Sequence, residues 1–454
     1  MHILNIRMNK NEYKKQLIKI AFPIMLSNLI SEVQMLIDKI FLGRLDITCM
    51  SAIGNASSPM WTSMSVVFSL TVGGTILMSQ AKGAGEKEKA QGIMNSLFLY
   101  NNFFSIVMFI VWLVFPGLIF RIMGTPGNVI GMSVEYARYY SPIFLFIGLG
   151  ASVTSMLQVS EKTGIMIWYG LIRSLMNIFL DWVLIFGNLG MPRLEVAGAA
   201  LATTIAEYLG DIVILIYVIR AKDIELKPKF KDVFKAKIKP YLTAIKLGLP
   251  AACEGFAWSL GNLFLIVMLN RISDVAAGIY SIVFSIELLP VVVFDSLGSA
   301  TLTVSGIETG RKNYRGVRDV VLICVKWSAM VSMLVLIMNV SFPKTVIGWF
   351  TTDATVIASA GLYLLITSID MFPKAANIII GSGIKGYGNT KWMLCTQIIG
   401  TIFIIVSSAI MVIGFKCGIA EICGLVVADE TIRCILNSLK LRKIAKSSNE
   451  AILS

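Results

Sequence analysis

Residues 17–42 read LIKIAFPIMLSNLISEVQMLIDKIFL, a run that is long and apolar enough to cross a membrane as one helix. Pro23 lies in this run, and Pro250 lies 227 residues later in a second such run, residues 242–270. The offset of 227 is half of the 454-residue chain, and it recurs. It relates Gly83 to Gly310, Pro116 to Pro343, Tyr136 to Tyr363, Ser155 to Ser382, Thr163 to Thr390 and Gly187 to Gly414. The sequence therefore predicts two halves of related fold.

The composition indicates an integral membrane protein. A hydrophobic fraction of 56% exceeds the roughly 45–50% of soluble domains, and the mean hydropathy is +0.77. The net charge of +13 does not indicate a nucleic-acid partner, because the basic residues lie in short patches between long apolar runs. The polar, basic segment 1–19 precedes a run long enough to span, so no cleavable signal peptide is expected.

Apolar runs of about 20 residues predict twelve transmembrane spans. They are too long and too uniformly apolar for the strands of a barrel, so an all-α membrane protein is expected. The predicted spans are 17–42, 51–80, 92–120, 133–158, 164–187, 196–219, 242–270, 276–307, 319–350, 355–386, 390–414 and 418–440.

The charges of the loops predict the orientation. Of the 40 basic residues, 28 lie on one side of the predicted spans and six on the other, which places both termini and the long middle loop in the cytoplasm. Six spans per half is an even number, so both halves enter the membrane in the same direction and their symmetry axis runs along its normal. We expect an N-lobe at 1–220 (helices 1–6), a cytoplasmic linker at 221–245 and a C-lobe at 246–454 (helices 7–12).

Four polar residues within the spans form a candidate cation site. Asp38, Asp181 and Thr203 lie about 6–10 Å from the outer ends of their spans at 1.5 Å per residue, and Asn177 precedes Asp181 by one turn on the same helix face. Ionisable residues inside a membrane are costly and mark functional sites by default. This set of hard oxygens suits a shared proton or a desolvated sodium ion. The alternative is a hydrogen-bond network that only packs helices.

Other charged residues within the spans have a structural interpretation. Lys374 lies one helical turn from Asp370, so the two can form an ion pair. Arg433 has the same kind of spacing to Asp429 and Glu430.

The sequence contains few of the residues and motifs that enzymatic catalysis requires. The only histidine is His2 at the terminus, so a histidine-based catalytic pair or zinc site is not available. Gly381, Gly383 and Gly386 have the spacing of a dinucleotide fingerprint, but they follow a predicted helix and not a strand. A membrane-embedded enzyme remains the alternative from another class, with carboxylate chemistry alone. We expect no enzymatic activity and no cofactor.

An ordered set of short motifs resembles one transporter family. The set begins with Pro23, Asp38 and Gly43-Arg44-Leu45, and it continues with the glycine-rich stretch Gln80-Ala81-Lys82-Gly83-Ala84-Gly85. The further motifs are Asn177-x3-Asp181, Leu184-Ile185-Phe186-Gly187, Val196-Ala197-Gly198-Ala199-Ala200-Leu201-Ala202-Thr203, Leu247-Gly248-Leu249-Pro250 and Gly383-Ile384-Lys385-Gly386-Tyr387-Gly388-Asn389-Thr390. Together they resemble the MATE family (multidrug and toxic compound extrusion) of the multidrug/oligosaccharidyl-lipid/polysaccharide flippase superfamily.

The resemblance implies a V-shaped fold of two pseudo-symmetric six-helix lobes, and a monomeric multi-pass protein of the cell membrane. It implies export of amphipathic or cationic organic compounds in exchange for sodium ions or protons. A lipid-linked glycan flippase of the same superfamily is the alternative, although fourteen spans are usual there.

The resemblance also implies the site residues. Asp38 and Asp181 match the acids that bind the coupling cation. Asn177, Ala199 and Thr203 match the other ligand positions, and Asp38, Asn177, Asp181 and Thr203 would hold a sodium ion. Glu254 and Asp370 resemble a second-lobe pair that acts on cation or substrate in one branch of the family.

Overall fold

The computed structural model describes residues 9–228, 230–273, 275–351 and 354–453. Within these ranges the chain is helical apart from turns and short loops, which confirms the predicted all-α class.

In the described residues of the first half of the chain there are eight α-helices. They are α1 (Lys10–Leu42), α2 (Ile47–Gly83), α3 (Lys87–Val114), α4 (Pro116–Ile122), α5 (Gly127–Tyr140), α6 (Phe144–Val159), α7 (Ile165–Leu184) and α8 (Glu195–Arg220). The middle loop contains the single turn α9 (Phe230–Val233). The second half contains α10 (Ile238–Ile272), α11 (Ala276–Gly310), α12 (Tyr314–Ser341), α13 (Pro343–Gly348), α14 (Ala354–Gly386), α15 (Thr390–Ala409) and α16 (Ile419–Leu453).

Each predicted span coincides with one or more helices. In the described parts of the chain, eleven helical spans are long and apolar enough to cross a membrane by length and composition. The twelfth predicted span, 418–440, lies within α16, which carries Asp429, Glu430 and Arg433. These charges form ion pairs with one another, so the helix carries less unbalanced charge than its composition suggests.

Prolines break three of the predicted continuous spans. Span 92–120 divides at Pro116, which begins α4 after α3 has ended at Val114. Its equivalent, Pro343, begins α13 in the same way and divides span 319–350. Span 133–158 is interrupted by a short 3-10 turn that contains Pro142. Proline has no backbone N–H to donate and clashes with the preceding turn, so a helix interior cannot hold it without a break or kink.

The repeat extends to the backbone. Both ends of α3 shift by 227 residues to give both ends of α12. The left-handed positions repeat as well, because Gly85 (φ 76°) is equivalent to Lys312 (φ 59°) and Glu161 (φ 58°) to Gly388 (φ 98°). Only glycine adopts this conformation without strain, yet each pair contains one non-glycine residue. The turns between helices therefore keep their geometry even where the residue type changes.

By packing, the chain divides into two compact units. The first contains the described residues up to Ala21, the segment Ser79–Gly85 and the chain from Leu249 onward. The second contains Phe22–Met78 and Glu86–Gly248. The predicted boundaries of the two lobes and of the linker at 221–245 follow the repeat and stay a prediction.

Each unit has its own helix contacts. In the second unit α7 packs on α8 and α3 on α6, and Asn101 donates hydrogen bonds to Thr71 (2.9 Å) and Ser152 (3.0 Å). In the first unit α14 packs on α11, α12 and α16. The end of α2 also belongs to the first unit, where a Cβ at Gly310 would lie 2.0 Å from the carbonyl oxygen of Gln80. Side-chain hydrogen bonds and close glycine contacts of this kind join helices tightly in membranes.

Candidate functional site

Gln34 is the centre of a hydrogen-bond network between α1 and α7. Its Nε2 donates to Asp38 Oδ2 at 3.1 Å and to Asn177 Oδ1 at 2.6 Å, and its Oε1 accepts from the Ser174 hydroxyl at 3.0 Å. Gln34 and Asp38 lie one turn apart on α1 and share a face of that helix. This network brings the predicted residues Asp38 and Asn177 together.

Thr203 and Ala199 complete the cluster from α8. The Asn177 amide lies 3.3 Å from the Thr203 hydroxyl, which donates to the Ala199 carbonyl oxygen at 3.0 Å. Asn177 and Ala199 are buried. Three helices, α1, α7 and α8, therefore direct amide, hydroxyl and carboxyl oxygens to one place, and α7 packs closely on α8.

The two acids of this cluster face each other. The carboxyl groups of Asp38 and Asp181 are close enough to share a hydrogen bond, which requires a proton on one of them. Asp181 is buried, and its Oδ1 has no hydrogen-bond partner among the described residues. Neither Asp38 nor Asp181 has an ion-pair partner among the residues that the structure describes. Two carboxylates in this position repel each other and lack solvation unless a cation is present.

The groups around the Asn177 amide are compatible with two orientations of its terminal atoms. One of its two terminal atoms lies 3.0 Å from Asp38 Oδ1. With nitrogen at that position, Asn177 donates to an ionised Asp38 and accepts from Thr203. With oxygen there, two acceptors meet, and the contact requires a proton on Asp38 or a cation between the oxygens.

A basic residue lies beside this cluster but is already paired. Arg173, one turn before Asn177 on α7, forms an ion pair with Glu207 at 3.3 Å. Tyr169 also donates to Glu207, and Arg173 donates to Ser31. Arg173 is therefore held by groups other than Asp38 and Asp181.

The first unit contains a cavity of about 520 Å³. It is lined by α10, α11, α14, α15 and α16, and its wall mixes aromatic rings with charged side chains. Its volume falls in the range of roughly 300–1,000 Å³ that is typical of small-molecule sites.

The two predicted second-lobe acids are not brought together as a pair. Asp370 forms an ion pair with Lys374 at 2.8 Å, and Lys374 also contacts Glu287 at 2.7 Å. Glu254 instead contacts Lys385 at 3.4 Å. The predicted pairing of Lys374 with Asp370 is confirmed. Each of the two predicted acids, Asp370 and Glu254, therefore forms an ion pair with a lysine.

A third group of charges lies on α16. Arg433 contacts Asp429 at 2.9 Å and Glu430 at 2.5 Å, which confirms the pairing predicted from their spacing. Arg433 also donates to Gln397 at 2.7 Å, and Asn377 donates to Glu430 at 3.0 Å. Buried charges are tolerated when they are paired and hydrogen-bonded in this way.

Sequence reasoning missed Gln34, the contact of Lys374 with Glu287 and the contact of Lys385 with Glu254. Gln34 could have been found from its spacing, since it lies one turn before Asp38 on a span with few polar residues. The contact of Lys385 with Glu254 joins residues 131 positions apart and leaves no local signal.

The described residues contain no group of three or more His, Cys, Asp or Glu side chains that could hold a metal ion. A site for a transported sodium ion at Asp38 and Asp181 would draw its other oxygens from Asn177 and Thr203. Uncharged oxygens of this kind are suitable ligands for a hard cation.

Comparisons with known proteins identify the family. The family model MatE matches residues 23–183 and 250–410, two segments related by the same offset of 227. The chain is 27% identical over 386 residues to a probable multidrug resistance protein NorM of Thermotoga maritima, covering 84% of this chain and 81% of the relative. It is 24% identical to a probable multidrug resistance protein YoeA of Bacillus subtilis, with 82% and 80% covered.

A solved structure gives the same fold. It is described as the outward-facing conformation of a multidrug resistance MATE family transporter of the MOP superfamily. It superposes with a TM-score of 0.88 at 19% identity, and 96% of each chain is covered. The twelve-helix fold of that family fits the helices described above. Since the family model matches more than half of the sequence, in both of its halves, this multi-pass membrane protein belongs to the MatE family.

Proposed function

We propose that this protein exports amphipathic or cationic organic compounds from the cell in exchange for sodium ions or protons. Membership of the MatE family supports a transport function, and relatives named multidrug resistance proteins support organic compounds as the exported class. We propose no enzymatic reaction and no cofactor. The excess of basic residues in the loops supports cytoplasmic termini, and a monomer is sufficient because each cluster lies within one chain.

One observation carries the proposed coupling site. Asp38 and Asp181 face each other without a basic partner among the described residues, whereas Asp370 and Glu254 each contact a lysine. A site that must take up and release a cation needs a carboxylate that is not already neutralised. We therefore assign cation coupling to Asp38, Asp181, Asn177 and Thr203, with Ala199 holding the Thr203 hydroxyl. Glu254 and Asp370 remain second-lobe candidates for cation or substrate.

The proposed mechanism follows from the energetics of this pair. A proton or sodium ion relieves the repulsion between Asp38 and Asp181, and it changes the orientation in which the Asn177 amide is satisfied. Occupancy thus changes the hydrogen bonds that join α1, α7 and α8. A cation that enters from outside would favour release of the substrate, and loss of the cation to the cytoplasm would reset the site. Coupling requires that the cation bind the two states with different affinities.

The test is export of ethidium by inverted membrane vesicles, driven by a sodium gradient or a proton gradient. We expect Asp38→Asn and Asp181→Asn each to abolish gradient-driven export, and the double variant to be no worse than either, because the two acids act as one unit. Glu32→Gln is the matched control, since it removes an acid on α1 that is outside the network and should leave export intact.

Full export by Asp38→Asn at matched expression would refute this coupling site. Loss of export in Glu254→Gln beside normal export in Asp181→Asn would move coupling to the second lobe. The alternative function, a flippase for lipid-linked glycans, predicts that the unaltered protein exports no ethidium under either gradient.

A further inference from the structure

A row of polar side chains leads away from the candidate cation site along α7 and α8. On α8, Thr203, Glu207 and Asp211 follow one another at intervals of four residues, so they lie along one face of the helix. On α7, which packs on α8, Asn177 and Arg173 have the same spacing. The Asn177 amide lies 3.3 Å from the Thr203 hydroxyl, and Arg173 forms an ion pair with Glu207 at 3.3 Å. The row therefore continues from the cation site toward the C-terminal end of α8.

Asp211, at the end of this row, is a buried acid that the proposed coupling site does not use. It is 2% exposed, and among the described residues its carboxyl group has no hydrogen bond and no ion pair. Arg173, the base in the row, is already paired with Glu207. The space for the carboxyl group is provided by a glycine of α6, because a Cβ at Gly150 would lie 2.8 Å from Asp211 Oδ1. The fold thus encloses an acid and leaves it without a basic partner.

The surroundings of Asp211 suit a proton better than a metal ion. The titratable groups whose charges act on it are Glu207 and Arg173, and its own charge acts on Tyr169 and Tyr208. Both oxygens of Glu207 are engaged, since one accepts from Tyr169 and the other from Arg173. A hard metal ion needs several oxygen ligands, and here the Asp211 carboxyl group is the one left available by this cluster. A proton needs only that group, and it removes the cost of a buried charge.

Asp211 lies between the candidate cation site and the predicted cytoplasmic end of α8. At 1.5 Å per residue it is about 12 Å along the helix from Thr203 and about 14 Å from Arg220, where α8 ends. A proton that leaves Asp38 and Asp181 toward the cytoplasm must cross this length of the protein interior. An acid halfway along divides the crossing into two shorter steps.

We propose that the coupling ion is a proton, and that Asp211 accepts it from the pair Asp38 and Asp181 before it reaches the cytoplasm. This inference rests on the proposed function, for which it names the ion and an acid on the release path. In the first step a carboxyl group of the pair becomes a carboxylate, and the Asp211 carboxylate becomes a carboxyl group. In the second step Asp211 gives the same proton to cytoplasmic water and regains its charge.

Infrared difference spectroscopy of the purified protein in detergent tests the protonation of Asp211 without any transport. Spectra taken at alkaline and at acidic pH differ by the C=O stretch of every carboxyl group that takes up a proton. We expect the spectrum of Asp211→Asn to lack one such band, because the amide cannot take up this proton. A spectrum with the same carboxyl bands as that of the unaltered protein would overturn the inference.

The isotope effect on ethidium export by inverted vesicles tests the place of Asp211 in the path. Under a proton gradient we expect Asp211→Asn to lower the initial rate by about tenfold or more, because the release of the proton becomes rate-limiting. Heavy water should then slow this variant more than it slows the unaltered protein. Asp211→Glu restores the acid and should restore most of the rate. Asp223→Asn removes an exposed acid just beyond α8 and is the matched control, with an unchanged rate and isotope effect.

Thermal unfolding separates this role from a packing role. Asp211→Asn removes an unpaired buried charge at nearly constant shape, so its melting temperature should equal or exceed that of the unaltered protein. A lower melting temperature together with an unchanged isotope effect would assign Asp211 to packing and overturn the inference. Gly150→Ala is a second variant, since its Cβ would displace the carboxyl group, and it should slow export in the same way.

The inference and the proposed function fail in different ways. Abolished export in Asp38→Asn beside a normal rate and isotope effect in Asp211→Asn would overturn the inference alone. Export by the unaltered protein under a sodium gradient at equal pH on both sides would overturn the assignment of the proton. Export under neither gradient would refute the proposed function, and the inference with it.

Discussion

Lys374 is the most informative residue to change, because one ammonium group is the ion-pair partner of two largely buried acids. Its side chain is 17% exposed, and its partners Glu287 and Asp370 are 11% and 2% exposed. Lys374→Gln would leave both carboxylates in the interior without a base, whereas Asp370→Asn would leave a neutral Lys374–Glu287 pair. The two single variants should therefore have opposite effects on stability.

The expected magnitude follows from these burials. Removing one partner of a buried ion pair costs about 3–5 kcal/mol, because an uncompensated charge remains. At about 2 °C per kcal/mol, Lys374→Gln should lower the melting temperature by about 6 °C or more. Asp370→Asn should leave it equal or higher. The double variant retains one unpaired acid, Glu287, and should fall between them.

Thermal unfolding of the purified protein in detergent measures this order, and an exposed ion pair provides the control. Lys87 contacts Glu225 at 2.9 Å, but the two side chains are 78% and 52% exposed. Lys87→Gln should therefore change the stability by less than about 1 kcal/mol.

Sodium gives a second readout of the same variant. With Lys374 removed, Glu287 and Asp370 could take up a cation, so sodium should raise the melting temperature of Lys374→Gln more than that of the unaltered protein. A bulky organic cation such as N-methylglucamine at the same ionic strength is the control. Equal stability of Lys374→Gln and Asp370→Asn, with no sodium effect, would refute the argument that the Lys374 ammonium group offsets the charges of Glu287 and Asp370.

Two further predictions concern the repeat. Lys312→Gly should stabilise the protein by up to about 1 kcal/mol in thermal unfolding, because glycine relieves the left-handed strain at φ 59°. Gly85→Ala at the equivalent turn should destabilise it similarly, since no atom lies within 4 Å and only the backbone strain counts; two changes of the same sign would contradict this reasoning. Gly310→Ala should destabilise by about 1–3 kcal/mol, because its Cβ would lie 2.0 Å from a backbone oxygen of α2. Gly278→Ala on the same helix meets nothing within 4 Å and should be neutral, and equal melting temperatures for the two alanine variants would refute the close-packing argument.

The class and helix content of this protein were readable from sequence because both depend on local properties. Apolar runs of about 20 residues have few alternatives to a membrane helix, and the offset of 227 reports on the fold without any knowledge of contacts. The breaks at Pro116, Pro142 and Pro343 were missed, because hydropathy continues through a proline that ends a helix. The prolines themselves predict helix ends at these positions, but the spans were assigned from the length of the apolar runs.

The site was partly readable. Asp38, Asp181 and Thr203 lie at similar depths counted from the ends of their spans, and Asn177 shares a helix face with Asp181, so the sequence predicted that these residues are close together. Which acids have a basic partner could not be counted in this way. Lys385 reaches Glu254 from another helix. Partnership of this kind depends on packing between helices that are distant in sequence.

The repeat also indicates that the shared fold does not require these acids. The residues equivalent to Asp38 and Asp181 are Leu265 and Ser408, and those equivalent to Glu254 and Asp370 are Ser27 and Ile143. All four equivalents are buried, so the same interior positions are filled elsewhere by apolar or small side chains without loss of the helix arrangement.

A buried carboxylate costs free energy that these alternatives avoid, and a cation beside it offsets that cost. In the C-terminal half most of that cost is offset by the lysines and the arginine built into the chain. Among the described residues of the N-terminal half, Asp38 and Asp181 have no such partner, and under the proposed function the coupling cation would offset this cost. The same scaffold can thus hold a permanent charge balance in one half and an exchangeable one in the other.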